Sequence, residues 1–333
     1  MDKTKLYKYY NIGIQSAIII VAIVLLYGEL SGKSILEYQG LLKIYFKSSQ
    51  FVWLFILVVL LMPINWFLEA AKWRYIVSTK EQISFALAVK AIFAGASVSA
   101  LSPNRIGDFL GRVFVLKKTS FLQGAFITLI GSFAQTLISL IIGFMAFAYL
   151  EYYDPNVVNT NSIFLLSIPA LLILILIFVY FKISILSRII PQSWKKTRTY
   201  VEILSQYRFP QLTTVFIYSF IRYLVFSTQF VLMLWAVGIH FAIFHLYIIV
   251  FTIFFVNMFR PSVAIVEFAI RGAVSVTVMD MYYAFFLDKG PAEHTNIIIA
   301  STLIWLVNII LPAIIGLFFI KDMKFFKHRK KSS

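Results

Sequence analysis

The sequence predicts an all-α polytopic membrane protein with about eight transmembrane helices and two further re-entrant or broken helical segments. Hydrophobic residues make up 61% of the chain and charged residues only 13%, whereas an ordinary soluble domain has roughly 25% charged residues. The apolar residues form uncharged runs of about 20 residues, long enough for a helix to cross a bilayer. Basic residues cluster at the ends of these runs, as they do in membrane proteins. We therefore expect a single membrane domain over residues 1–333.

The uncharged runs also predict the topology. They place helices near residues 9, 50, 124, 160, 213, 241, 272 and 297. A lysine-rich start and an even number of crossings put both termini in the cytoplasm, because Lys and Arg resist translocation. The same bias assigns two basic segments, a linker at 182–211 and a tail at 321–333, to the cytoplasmic side. The linker separates a first half, 1–181, from a second half, 212–320, and the tail follows the second half. We expect the protein in a bacterial-type cytoplasmic (inner) membrane.

The net charge of +16 raises nucleic-acid binding as an alternative, but the basic residues form no basic domain, so we expect no nucleic-acid partner. The chain has no cysteine, which excludes disulfides, thiolate metal sites and cysteine nucleophiles. His240 and His245 are five residues apart and do not share a helix face, and no acidic cluster joins them. We therefore expect neither a metal nor a cofactor.

Two apolar segments are interrupted by charged residues, prolines and glycines, near 102–112 and near 260–271. Irregular backbone at membrane depth survives only where protein or a watery cavity covers it. Both segments are therefore predicted to be re-entrant or broken helices.

The two interrupted segments share a charged motif. In each, an acid is followed directly by Phe, and an Arg lies four residues after the acid: Asp108 with Arg112, and Glu267 with Arg271. On a helix, positions i and i+4 lie on one face, so each acid can pair with its own Arg and lower the cost of a charge in the membrane. An internal duplication, with both motifs at one midplane site, is one interpretation. Chance similarity of two short segments is the other.

The two motifs belong to longer patterns. The first is Pro103, Asn104, Arg105, Ile106, Gly107, Asp108 and Arg112, and the second runs from Pro261 through Ser262 to Glu267. These patterns resemble those of a known family, the membrane region of lysylphosphatidylglycerol synthases and their stand-alone relatives. The resemblance covers most of the chain and implies a flippase-like domain that moves or binds a lipid with a modified or glycosylated headgroup.

The chain departs from the family pattern in two ways. The second motif has Val263, Ala264, Ile265 and Val266 where the family usually has glycines. The synthases also continue into a soluble aminoacyl-transfer domain, and this chain ends at Ser333. We therefore expect no lipid aminoacylation by this chain alone, and no enzyme activity.

Charged residues in or near the apolar segments indicate the ligand. They are Lys90, Arg105, Arg112, Arg222, Arg260 and Arg271 against Asp108, Glu267 and Asp280. This excess of positive charge favours an anionic partner, and lipid phosphate matches the planar donor fork of Arg. The predicted substrate-binding residues are Arg105, Asp108, Arg112, Arg222, Glu267 and Arg271, within a structural motif formed by Pro103, Asn104, Gly107, Gly111, Pro261 and Ser262.

Each of these residues also has a simpler interpretation. The acid–Arg pairs could be structural clamps, and Arg222 could extend to the interface or pair with Glu267 or Asp280. The small residues from Gly95 to Ser99 favour close helix packing over a nucleophile.

The predicted function is a flippase-like protein that translocates or binds an anionic lipid or lipid-linked intermediate. An intramembrane lipid-modifying enzyme using Asp108 and Glu267, or a membrane scaffold, is the alternative. The expected partner is a membrane phospholipid or lipid-linked substrate, and a homo-oligomer is left open.

Overall fold

The structure is a computed structural model, and it describes most of the chain. The described residues are 40, 42–100, 107–153, 163–185, 201–259, 264–286 and 294–320. Regular structure in these ranges is entirely helical, which confirms the predicted fold class. The predicted first helix near residue 9 and the basic tail lie outside the described residues.

The helices follow the predicted order. In the first half they are α1 (Ser49–Val77), α2 (Phe85–Ala100), α3 (Gly107–Val113), α4 (Phe121–Tyr153) and α5 (Ile163–Phe181). In the second half they are α6 (Phe209–Ala236), α7 (Ile243–Met258), α8 (Ala264–Phe286), α9 (His294–Trp305) and α10 (Leu311–Ile320). A π-helical turn, Leu306–Ile310, joins α9 to α10, and a 3₁₀ helix, Glu202–Gln206, precedes α6.

Four helical segments in the described ranges are long and apolar enough to cross a membrane, namely α1, α4, α6 and the continuous unit from α9 to α10. With 29 residues, α1 is about 43 Å long at 1.5 Å per residue, longer than a hydrocarbon core of about 30 Å. Trp53, Leu57, Leu60 and Ile64 on α1 are exposed, as expected of a surface solvated by lipid tails. The protein is an integral membrane protein.

Helices of the two halves pack directly on each other. α1 lies along α6, and the Gln229 amide donates a hydrogen bond to the Val58 carbonyl at 2.8 Å. α10 lies along α2, where the Ser97 hydroxyl donates to the Ala313 carbonyl at 2.5 Å. Each contact satisfies a buried polar group that lipid could not satisfy.

The described part of the first interrupted segment, from Gly107 onward, forms α3, which packs tightly against α2. A Cβ atom added to Gly111 would overlap the Cα of Gly95, and one added to Gly95 would lie 2.9 Å from the Asp108 carboxylate. The two backbones therefore approach each other only because both positions are glycine. This contact confirms that the small residues around Gly95 serve helix packing.

The second interrupted segment has a different structure. From Ala264 onward it is the start of α8, a continuous helix of 23 residues, while residues 260–263 lie outside the described residues. The first motif thus occupies a helix of seven residues, and the second occupies the first turns of a long one. The internal duplication stays a prediction.

A carboxylate ties together the loops at the base of the α2–α3 pair. Glu81, between α1 and α2, accepts hydrogen bonds from the backbone N–H groups of Lys117 at 2.9 Å and Lys118 at 2.8 Å, between α3 and α4. Burial by itself would raise the pKa of the Glu81 carboxyl, but these donors outweigh it and lower the pKa below its ordinary 4.5.

The end of the basic linker packs against the first half. The Tyr207 hydroxyl donates a hydrogen bond to the Ile76 carbonyl at 2.8 Å and lies 2.8 Å from the Thr79 hydroxyl. Burial raises the pKa of Tyr207 to about 12. The neutral phenol is therefore maintained as a hydrogen-bond donor that joins the linker to the end of α1.

Candidate functional site: a charged cavity between the two halves

A cavity of about 600 Å³ lies where the two halves meet. Helices α1 to α4 of the first half and α6, α7, α8 and the π-helical turn of the second half contribute lining residues. Its volume falls in the range of roughly 300–1,000 Å³ typical of ligand cavities. Charged side chains at this depth need a partner or a function.

Glu69 of α1 is the centre of the charge cluster. Its Oε1 lies 2.6 Å from Arg112 Nη1, and its Oε2 lies 2.7 Å from Lys72 Nζ and 3.3 Å from Arg222 Nη1. The side chain is buried. One carboxylate therefore joins α1, α3 and α6, and so connects the two halves.

All three guanidinium nitrogens of Arg112 donate hydrogen bonds to two acids. Its Nε and Nη2 donate to the two oxygens of Asp108 at 2.8 and 2.5 Å, and its Nη1 donates to Glu69 at 2.6 Å. The Arg112 side chain is only 7% exposed. Bidentate, charge-assisted pairs of this kind are strong and directional. Arg112 therefore acts as a clamp between α3 and α1.

Arg222 is held much more loosely than Arg112. Its Nη1 makes two long contacts, 3.3 Å to Glu69 and 3.3 Å to the side-chain oxygen of Gln135. Its Nε is buried without a hydrogen-bond partner. The guanidinium lies 6.0 Å from the centre of the Trp66 ring, within reach of a cation–π interaction. With its side chain 23% exposed, Arg222 retains capacity for a ligand.

The charges of the cluster do not balance. Glu69 and Asp108 neutralise Lys72 and Arg112, so Arg222 is a surplus cation among the side chains of this cluster. Arg271 also lines the cavity. A surplus charge in a low-dielectric setting favours an anion that can enter beside it.

Most of the remaining lining residues have polar or aromatic side chains. The polar group is Asn65, Ser99, Ser132, Gln135, Thr136, Ser139, Asn257 and Asn308, and the aromatic group is Trp66, Phe109, Tyr223, Phe226 and Phe254. Side-chain oxygens of Asn65 and Asn257, and the hydroxyl of Tyr223, are buried without hydrogen-bond partners. Such groups favour a polar ligand, while the aromatic surface suits an apolar one. The cavity can therefore accept an amphipathic molecule.

Asn308 reaches the cavity from the π-helical turn. The side chain of Asn65 donates to Asn308 Oδ1 at 3.4 Å, which links α1 to the turn. π-Helical turns are frequent at functional sites because they reorient a side chain within an otherwise regular helix.

The comparison with protein families identifies the chain. A family model described as the lysylphosphatidylglycerol synthase TM region matches residues 13–316. The chain belongs to this family. No curated protein and no solved structure matches it. The family resemblance inferred from the two motifs is therefore confirmed.

Four of the predicted substrate-binding residues of this family member line the cavity together: Asp108, Arg112, Arg222 and Arg271. Residues of both motifs thus share one cavity. Gly111 packs α3 on α2, and Gly107 begins α3. The side chain of Glu267 lies outside the described residues, as do Pro103, Asn104, Arg105, Pro261 and Ser262.

The alternative interpretation in which Arg222 pairs with Asp280 is wrong. Asp280 lies 2.8 Å from His294 Nε2, near the start of α9, and Arg222 contacts Glu69 instead. The physical reason is that α6 packs along α1, which brings Arg222 next to an acid from the other half of the chain.

Sequence reasoning missed the central residues of the site, Glu69 and Lys72. Both residues follow the uncharged run 48–68, a position where charged residues usually mark the end of a membrane span. In fact α1 continues to Val77, and both side chains are buried. A signal was present, because an acid and a base three residues apart lie on one helix face with Asn65 and Trp66 just before them.

Proposed function

We propose that this protein binds an anionic lipid or lipid-linked intermediate and translocates it across the membrane, with the headgroup phosphate in the cavity between the halves. The observation that carries the proposal is the surplus cation Arg222, loosely held in a cavity with both polar and aromatic lining. A phosphate placed there would neutralise the surplus.

Phosphate fits the donors that the cavity offers. The Arg guanidinium presents parallel N–H donors that match phosphate oxygens, and Arg222 still has a buried N–H without a partner. Arg271 lines the same cavity. The polar side chains of α4 would contact the rest of the headgroup, and the aromatic side chains would contact the acyl chain.

Translocation would follow from the position of the cavity. Because it lies between the halves, movement of one half against the other would expose it to each leaflet in turn. In this proposal Arg112 and Asp108 hold the α2–α3 pair in place during the movement. We place the protein in the inner membrane of a bacterial-type cell, with both of its termini in the cytoplasm.

The hydrogen bonds of Asp108 favour transport over lipid modification. Both of its oxygens accept hydrogen bonds from Arg112, so both are occupied within the protein instead of facing a reacting lipid. We therefore propose no enzymatic activity and no cofactor.

The test of binding is lipid analysis of the purified protein in detergent, comparing wild type with Arg222→Gln. Arg208→Gln is the matched control, since Arg208 immediately precedes the same helix and its side chain is exposed. We expect anionic lipid to co-purify with wild type and the control and to be lost from Arg222→Gln. Identical lipid in all three proteins would contradict the proposal and favour a membrane scaffold.

Transport is tested separately after reconstitution into liposomes with a tail-labelled anionic phospholipid. We expect the label to exchange between leaflets with wild type and not with Arg222→Gln. Chemical conversion of the lipid in the same sample would instead identify an enzyme, and co-purification without exchange would restrict the function to binding.

A further inference from the structure

We infer that Glu69 is an internal competitor of the substrate, occupying Arg222 until a headgroup phosphate displaces it. The inference rests on the proposed function, since it assumes that a phosphate reaches Arg222. It assigns Glu69 a specificity role: the headgroup must be anionic enough to replace a carboxylate.

The three contacts of Glu69 are unequal. Those to Arg112 and Lys72, at 2.6 and 2.7 Å, are short, while the contact to Arg222 is 3.3 Å. Charge-assisted N–H···O bonds normally measure about 2.7–2.9 Å, so the Arg222 contact is the weakest of the three. It is therefore the contact that a stronger acceptor would break first.

Displacement would leave no acid without a partner. After losing Arg222, Glu69 keeps Lys72 and Arg112, and Arg112 keeps Asp108. These four side chains are neutral as a group. The phosphate would form a separate neutral pair with Arg222, so the exchange avoids the large cost of a lone buried charge.

The displaced contact also joins the two halves. Glu69 lies on α1 and Arg222 on α6, the helices along which the first half packs on the second. Moving Arg222 from Glu69 to the substrate would remove one connection between the halves. Occupation of the cavity would thereby be coupled to their relative movement.

The same competition predicts headgroup selectivity. A headgroup that carries its own ammonium, such as that of phosphatidylcholine, brings a cation close to Lys72 and Arg112 and replaces Glu69 less well. Phosphatidylglycerol has no such cation. We therefore expect wild type to bind phosphatidylglycerol more tightly than phosphatidylcholine.

The experiment measures binding of tail-labelled phosphatidylglycerol and phosphatidylcholine to purified protein in neutral detergent. The variants are Glu69→Gln and the double variant Glu69→Gln with Lys72→Gln. The single variant removes the competitor but also makes the cavity more positive. The double variant removes the competitor and restores the net charge of the wild-type cluster, so it separates competition from bulk electrostatics. The double variant also avoids an unpaired Lys72. If the single variant does not fold, the double variant alone tests whether Glu69 competes with the phosphate.

We expect both variants to bind phosphatidylglycerol about tenfold more tightly than wild type, a change worth about 1.4 kcal/mol. Tighter binding by the single variant alone would show that only net charge matters and would overturn the inference. Unchanged binding by both folded variants would overturn it as well. Equal binding of the two lipids by wild type would overturn the inference. If wild type binds neither lipid, the proposed function itself fails, whatever the variants do.

Discussion

Arg112 and Arg222 contact the same carboxylate and nevertheless differ in almost every other respect. Arg112 is buried and engages two acids through three short contacts. Arg222 is partly exposed to the cavity, with two contacts of 3.3 Å and a buried N–H that has no partner. The number of acids within reach, rather than the residue type, decides which arginine is structural and which is available to a ligand.

The helix that carries Arg112 is also packed more tightly than the helix that carries Arg222. α3, which carries Arg112, is so close to α2 that Gly111 and Gly95 leave no space for a side chain. α6, which carries Arg222, faces a cavity lined by polar groups. A closed, clamped region and an open one thus meet at Glu69, and the following predictions test that contrast.

The largest expected effect is on the stability of Arg112→Gln. Removing this guanidinium takes the shared partner away from the buried Glu69 and the partly buried Asp108, which costs about 3–5 kcal/mol. We expect a strongly lowered melting temperature in detergent, measured by tryptophan fluorescence. Arg222→Gln should melt close to wild type, because its weak contacts contribute about 1 kcal/mol or less. Equal losses of stability in the two variants would remove the distinction between clamp and ligand site.

A smaller effect is expected for Gly111→Ala, next to Arg112. The added methyl group would overlap the backbone of Gly95, and overpacking of this kind costs about 1–3 kcal/mol. Gly272→Ala, next to Arg271, is the matched control, since its added Cβ would meet Ile298 at an ordinary 3.8 Å. The melting temperature should fall for the first variant and stay constant or rise slightly for the second. Equal tolerance would show that the α2–α3 pair can separate.

The smallest effect concerns Glu81, which holds the base of the clamped region. Its pKa is lowered in the folded protein, so its carboxylate stabilises the fold above the ordinary pKa of 4.5, and this contribution is lost as pH falls through the folded pKa. We expect Glu81→Gln to lower stability by about 1 kcal/mol at neutral pH. The difference from wild type should shrink toward about pH 4.

The test is to measure the melting temperatures of wild type and Glu81→Gln from neutral pH down to about pH 4. Glu202→Gln is the control, since Glu202 is exposed in the 3₁₀ helix. A difference between wild type and Glu81→Gln that stays constant with pH would show that the hydrogen bonds to Lys117 and Lys118 do not depend on the charge of Glu81.

The local part of the site could be predicted from sequence. Asp108 and Arg112 are four residues apart, and helix geometry alone places them on one face. The ion pair between them is present in the structure. The small size of Gly95 and Gly111 likewise indicated close packing before any partner was known. Each of these inferences depends on neighbours in sequence or on the size of one residue.

The central acid could not be predicted in the same way. Glu69 and Arg222 belong to different halves of the chain, and their contact exists only because α1 packs along α6. No periodicity within either helix indicates which helix lies beside it, since membrane helices associate through packing detail rather than through an amphipathic pattern. For this reason the sequence does not indicate the contact between Glu69 and Arg222, and Asp280 is only one of the two acids that it offers as an alternative partner of Arg222.

By itself, the sequence determined that this is a helical membrane protein, where most of its helices lie and to which family it belongs, because hydropathy and motif spacing are properties of the linear chain. Only the tertiary structure decided which charges neutralise each other and which remain available. Electrostatic pairing depends on distances of a few ångströms between helices, and these are set by packing between the two halves.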